Sequence, residues 1–130
     1  MSRGASVPEK FCVVCGRRIE WRKKWERDWE TVKYCAKSCR SRGHKPIDDQ
    51  LEAAILELLR ARAGDASICP SEAAKAVSPE GWRDLMEDAR MAARRLVLRG
   101  EVEITQRGHA VDASTAKGPI RVRRARTLRA

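Results

Sequence analysis

From Ile47 onward, apolar residues recur with a helical period. After Gly100 the period shortens to two. Leu51, Ala54, Ile55, Leu58 and Leu59 fall three and four apart, which predicts an amphipathic helix. Asp48 or Asp49 suits its cap, Arg60 and Arg62 suit its last turns, and Gly64 ends it. A short second helix opens at Pro70, with Glu72 in its first turn and Ala73, Ala74 and Val77 as apolar positions. Ser78-Pro79-Glu80 starts a third helix that runs to about Arg99. Trp82, Leu85, Met86, Ala89, Ala93, Leu96 and Val97 form its buried side. Glu101 to Thr105 alternates polar and apolar, as a half-buried strand does. Gln106-Arg107-Gly108-His109 reads as a turn, Ala110 to Asp112 as its return, and Ile120 to Arg123 as another strand. Three helices followed by a hairpin is the order of a winged helix-turn-helix, so the expected class is α+β.

Residues 8–42 follow no long period. Their apolar stock is small: Phe11, Val13, Val14, Ile19, Val32 and Tyr34. So few residues bury little surface unaided, and a metal ion is expected to hold them. Cys12 and Cys15 form C-x2-C, and Cys35 and Cys39 form C-x3-C nineteen residues later. Two thiol pairs across a short insert supply the four soft ligands of a tetrahedral structural Zn²⁺. Gly16 follows the first pair, where a knuckle must turn. Lys33 to Arg40 reads as a short strand entering a helical turn, whose one face can present Cys35 and Cys39. No secretory apolar region precedes the cysteines, so disulfides are not expected and the compartment is expected to be cytoplasmic.

In the insert, Trp21, Trp25 and Trp29 are four apart, one stripe of a short helix, and Arg22, Lys23, Lys24 and Arg27 lie between them. The stripe serves either as a mini-core over the knuckle, the reading preferred here, or as a stacking platform for bases. Gly43 and Pro46 mark residues 43–47 as a linker, and the second domain is expected over 48–124 with a disordered basic tail at 125–130. His44 reads as a surface residue and His109 as part of a turn.

Charge is unevenly spread over the 130 residues. Residues 1–46 hold thirteen Lys/Arg against five Asp/Glu, residues 47–116 nine against thirteen, and residues 117–130 six against none. The net charge of +10 therefore sits in the metal segment and the tail, which favours an anionic partner, nucleic acid first. No apolar run approaches the roughly 18 residues of a membrane span.

Two resemblances add to this reading. Cys12-x-x-Cys15-Gly16-Arg17, the Trp21 to Trp25 run, Trp29 and Tyr34-Cys35-x-x-x-Cys39-Arg40 resemble a small bacterial zinc family of unknown function. That resemblance implies zinc and a treble-clef-like knuckle. The Cys-x-x-x-Cys-Arg ending also resembles the zinc protein that inhibits DNA gyrase, which has a different insert. Ile68-Cys69-Pro70-Ser71-Glu72, Trp82-Arg83-x-Leu85-Met86, Arg94-Arg95-Leu96, Ile104 to Gly108 and Lys117 to Arg121 resemble a second bacterial family of unknown function, similar to winged-helix domains.

The candidate metal ligands are thus Cys12, Cys15, Cys35 and Cys39. For nucleic acid, the third helix is expected to be the reader, with Arg83, Arg90 and Arg94 on one face. Gln106 and Arg107 sit at the wing tip. Arg121, Arg123 and Arg124, with Arg126 and Arg129, supply phosphate contacts, and Arg22, Lys23, Lys24 and Arg27 add charge from the insert. Glu80, Asp84, Glu87 and Asp88 crowd the same third helix and oppose that role. Cys69 reads as a partly buried structural cysteine. No carboxylate dyad, phosphate loop or Ser-His arrangement is evident, so no enzyme and no small-molecule substrate are expected. The leading expectation is a DNA-binding accessory or regulatory protein. The alternative is a protein-interaction adaptor whose zinc module docks on a partner, with enzyme regulation included.

Overall fold

The computed structural model describes residues 9–125. The basic tail, with Arg126 and Arg129, lies outside the described residues. Mixed helix and sheet build two modules. The first holds a two-stranded hairpin, β1 (Lys10–Phe11) and β2 (Arg18–Ile19), and ends in a short helix, α1 (Lys37–Arg42). Two 3-10 turns, Lys23–Trp25 and Trp29–Thr31, stand where one insert helix was expected. The tryptophans still form the small core. Trp29 is buried beside Cys12, Val14, Cys15 and Ile19, and Trp21 and Trp25 pack on the edge of that cluster.

The second module carries α2 (Pro46–Arg60), β3 (Ser67–Ile68), α3 (Pro70–Val77), α4 (Met86–Leu98), β4 (Val102–Gln106), β5 (His109–Ala110) and β6 (Arg121–Arg124). Its four-stranded sheet has the order β3-β6-β4-β5, all antiparallel. The three helices pack on one another, and α4 covers β4. Leu51, Ile55 and Leu59 of α2, Ala89, Ala93 and Leu96 of α4, and Ile68, Ile104 and Val122 of the sheet share one core. Those sheet residues meet because Val122 pairs with both Ile68 and Ile104, which puts all three on one face.

Local chemistry explains where the elements begin and end. Helix α2 starts earlier than expected, with Pro46 at its first position and Lys45 as cap residue. Asp48 sits at the third position, and its carboxylate accepts from the Lys45 N–H at 2.9 Å. The helix ends at Arg60, ahead of Gly64. In α3 the pattern repeats: Pro70 stands first, and Glu72 accepts from the Cys69 N–H at 2.9 Å. The third expected helix is split, because a 3-10 turn at Trp82–Leu85 precedes α4. Gly100 ends α4 with φ of 78°, as its N–H bonds Val97 O and the Glu101 N–H bonds Leu96 O. In the β4–β5 turn, Arg107 and Gly108 have φ of 54° and 82°, the signature of a two-residue I′ hairpin.

The modules are joined tightly. Only Gly43 to Lys45 separate α1 from α2, so the expected linker is shorter than 43–47. Arg42 spans that junction, giving Asp48 two bonds of 2.7 and 3.0 Å and reaching Asp88 at 3.2 Å. Gly16 is pressed against α4. Its φ is 80°, and a Cβ added there would lie 2.5 Å from Arg94 Cβ. Arg18 adds a third tie: its N–H bonds Ser114 Oγ at 2.8 Å, and its guanidinium meets Asp112 at 3.4 Å.

Gly16→Ala is therefore expected to destabilise the metal-loaded protein more than Gly100→Ala. Gly100 also has positive φ but faces open space, so it carries only the backbone cost of about 1 kcal/mol. Gly16→Ala adds an overlap and is expected to cost at least about 1 kcal/mol more. Urea unfolding of the two variants measures the difference, and equal losses would show that no close approach exists.

Candidate metal centre and basic surfaces

The four expected sulfur ligands converge. All four Sγ atoms lie within 4.8 Å of one another, so the cluster can hold a metal ion. Cys15 and Cys35 are 3.6 Å apart and Cys35 and Cys39 are 3.8 Å apart. Sulfurs bound at about 2.3 Å to a tetrahedral ion lie about 3.8 Å from each other. A disulfide needs about 2.05 Å, and all five cysteines of the chain are free thiols. Cys12 and Cys15 lie on the turn between β1 and β2, closed by the Cys12 N–H to Arg17 O and the Gly16 N–H to Cys12 O. Cys35 precedes α1, and Cys39 lies inside it. No strand forms before Cys35 as had been expected; instead the Val13 N–H bonds Lys33 O and ties the two halves together.

The unliganded thiols interact unequally. A hydrogen bond from the Cys15 thiol lowers Cys12 to about 4, against burial, with backbone amides of Cys15, Cys35 and Val14 assisting. Donating that bond, together with burial, pushes Cys15 well above its ordinary value. Burial, then bonding to Cys12, raises Cys39 to about 11. At neutral pH Cys15 and Cys39 thus hold protons that a bound cation would displace.

The knuckle turn is gripped from below by α4. Arg94 Nε donates to Cys15 O at 2.5 Å, and Arg95 Nη1 donates to Val14 O at 2.5 Å. Both arginines are buried, at 3% and 7% exposure. Arg94 also meets Glu87 at 3.2 Å, and Arg95 meets Glu52 at 2.5 Å and the Asp48 carbonyl at 3.5 Å. Burial, and the nearby charge of Arg17, push the Arg94 guanidinium below its ordinary value. On Asp48, burial acts to raise the carboxyl, but Arg42, the Lys45 N–H and Arg95 outweigh it and leave it lowered. Met91 extends the contact by joining the first module's core.

This placement changes the expected reader. Residues 91–96 of α4 are all buried, and Arg94 faces the knuckle, not solvent. Arg90 does not share a free face with it, since it donates to Gly118 O at 2.7 Å. Arg83 is exposed and stacks on Trp82 at 4.6 Å, opposite Lys75 at 4.5 Å. Gln106 donates to Lys117 O and Pro119 O. Arg121 bonds Ser67, Arg123 pairs with Glu103 at 2.7 Å, and Arg124 caps the end of α2 through Leu59 O at 2.6 Å. Arg107 is exposed at the hairpin tip. Arg22, Lys23, Lys24 and Arg27 are exposed in the insert, with Arg22 and Lys24 at 5.9 and 5.4 Å from the centre of the Trp25 ring. His44 lies exposed beside Asp49, and Cys69 accepts from Ser71 Oγ at 3.1 Å. The residues that sequence reasoning missed are Arg42, Asp48, Glu52 and Arg95. Their one visible signal is the pairing of acids early in α2 with an Arg-Arg step late in α4.

Two outcomes follow. Loading the cluster with a divalent ion at pH 7 is expected to expel at least two protons per ion, since Cys15 and Cys39 both hold theirs. An indicator-dye titration in weak buffer reads this, and release below one proton would exclude these thiols as the ligand set. Arg95→Ala is expected to cost about 1–3 kcal/mol, because it strands Val14 O in the interior and takes one of two arginines from Glu52, which keeps Arg99 at 2.7 Å. It is also expected to weaken metal retention against a chelator; unchanged retention would mean that the knuckle does not depend on α4.

The comparisons with known proteins give families without an activity. A search of curated proteins finds no match for this chain. The family model described as an uncharacterized protein conserved in bacteria (DUF2256) matches residues 3–42, which hold the four cysteines. The model for a protein of unknown function (DUF3253) matches residues 48–125. No helix among the described residues is long and apolar enough to cross a membrane. Because the second match spans more than half of its length, the chain belongs to the DUF3253 family.

Proposed function

We propose that this chain is a nucleic-acid-binding accessory protein with a structural Zn²⁺ in its first module and a winged helix-turn-helix in its second. Four thiolates with no carboxylate or imidazole among them suit zinc in a closed site, without a position for catalysis. Cys12, Cys15, Cys35 and Cys39 would hold the ion, whose role is to fix the knuckle. The element order α2-β3-α3-α4-β4-β5-β6 and the strand order β3-β6-β4 support the winged helix, with β4–β5 as its wing.

One observation carries the nucleic-acid reading. The insert exposes Arg22 and Lys24 at the half-buried ring of Trp25, with Lys23 and Arg27 exposed nearby among the acids Glu20, Glu26, Asp28 and Glu30. Lys23 meets Glu26 only at 4.0 Å, the edge of an ion pair. A surface of cations set about an aromatic ring suits phosphates and stacked bases together. It is not the surface of a major-groove helix, because α4 is covered by the knuckle. A second reading, a protein-docking knuckle, is favoured by Val13, which is 52% exposed on the metal turn.

Salt separates the readings. Zinc-loaded protein titrated into a labelled oligonucleotide is expected to bind, and to weaken steeply between about 50 and 200 mM salt, as phosphate contacts do. Lys24→Glu with Arg27→Glu is expected to weaken binding at least about tenfold. No binding at low salt by folded protein overturns the nucleic-acid reading and leaves the docking knuckle.

A further inference from the structure

Beside the wing lies a groove of about 750 Å³. Arg107 and His109 line it from the hairpin, and Lys117 and Arg121 from the loop before β6 and its first residue. Half-buried Val111 and exposed Pro119 supply apolar surface to the same groove. No acidic side chain lines it among the described residues. Arg107, His109 and Lys117 have no ion-pair partner among those residues either, although the module around them is neutral overall, with thirteen Lys/Arg against thirteen Asp/Glu over residues 47–124. Unpaired cations crowded about a concave surface repel one another, and an anion relieves that repulsion.

The groove is also built in advance. Gln106 Nε2 holds Lys117 O at 2.6 Å and Pro119 O at 3.1 Å, and Arg90 Nη2 holds Gly118 O at 2.7 Å. Three successive carbonyls of the loop before β6 are thus fixed by side chains of β4 and α4. Arg121 is fixed in turn by Ser67, at 2.9 Å to Oγ and 3.0 Å to the carbonyl. These bonds set the wall without using Arg107 or Lys117. Gln106 and Arg90, expected to touch nucleic acid themselves, instead bond the backbone that carries Lys117.

We propose that this groove seats an unpaired nucleotide segment, its phosphates on Arg107, Lys117 and Arg121 and a base against Val111 and Pro119. The proposal rests on the nucleic-acid reading above and names a surface apart from the Trp25 insert. The volume lies within the range of about 300–1,000 Å³ typical of sites for organic ligands, too large for a lone ion. The apolar strip separates a strand from a duplex: paired bases in a helix cannot turn a face onto a side wall, whereas unpaired bases can.

The test compares zinc-loaded wild type, Arg107→Glu with Lys117→Glu, and Lys24→Glu with Arg27→Glu. Each is titrated by anisotropy with a labelled mixed-sequence single strand and with its duplex, and thermal melts confirm folding. Wild type is expected to prefer the single strand about tenfold or more. The groove variant is expected to lose that preference, and its single-strand salt slope to fall by about 0.7 per phosphate contact removed. Two outcomes overturn the groove alone: equal wild-type affinity for strand and duplex, or a groove variant that binds like wild type while the insert variant does not. Wild type that binds neither oligonucleotide at low salt overturns the nucleic-acid reading itself, and the groove with it. Should the double variant unfold, Lys117→Gln, which removes one exposed charge and keeps the loop bonds, carries the same comparison.

Discussion

Two neighbouring arginines on α4 decide where the whole first module sits. Arg94 and Arg95 reach successive carbonyls, Cys15 O and Val14 O, on the turn that carries two of the four thiols. A guanidinium survives burial only where its donors are met by fixed acceptors and its charge is offset. The acceptors are fixed when the knuckle is fixed, and the charge is offset by Glu52 and Glu87. Each end of the chain of contacts therefore supports the other. A dication on four thiolates would leave two negative charges beside this pair, and in a poorly hydrated interior that proximity favours both partners.

The helices and the convergence of the four cysteines were legible because their signals are local. Cysteine spacing encodes a tetrahedron within one short segment. The shift of period after Gly100 marks β4, and Gly100 itself closes α4 as expected. Less legible were features that depend on partners far along the chain. Nothing local distinguishes Arg94, which turns inward, from Arg83, which stays outside; the difference lies in a turn 79 residues away. The tryptophan stripe misled about shape but not about role. Spacing of four suits a helix, yet the residues between the two cysteine pairs must return over the metal site, and two tight 3-10 turns do this. Strand β3 escaped notice because two residues are too few to show a period.

The basic surfaces show a similar division. Many arginines in the second module are spent on its own carbonyls and carboxylates: Arg124 on the end of α2, Arg123 on Glu103, Arg62 on Glu72 at 2.6 Å. Composition counts these with the rest, so the number of arginines overstates the cations free to meet an external anion. Outward cations lie at the insert and beside the β4–β5 hairpin, and others, such as Arg17, Lys33, Lys37 and Arg40, surround the cysteine cluster.

The contact of Gly16 with Arg94 bears on how such a chain is inherited. The matched families abut here, with five residues between their bounds. Yet the halves are not interchangeable parts. A first module with any side chain at position 16 would not seat on this α4, and an α4 lacking the arginine pair would leave two turn carbonyls without donors. A change at any of positions 16, 94 and 95 therefore has to be met at the others for these two modules to stay seated as they are here.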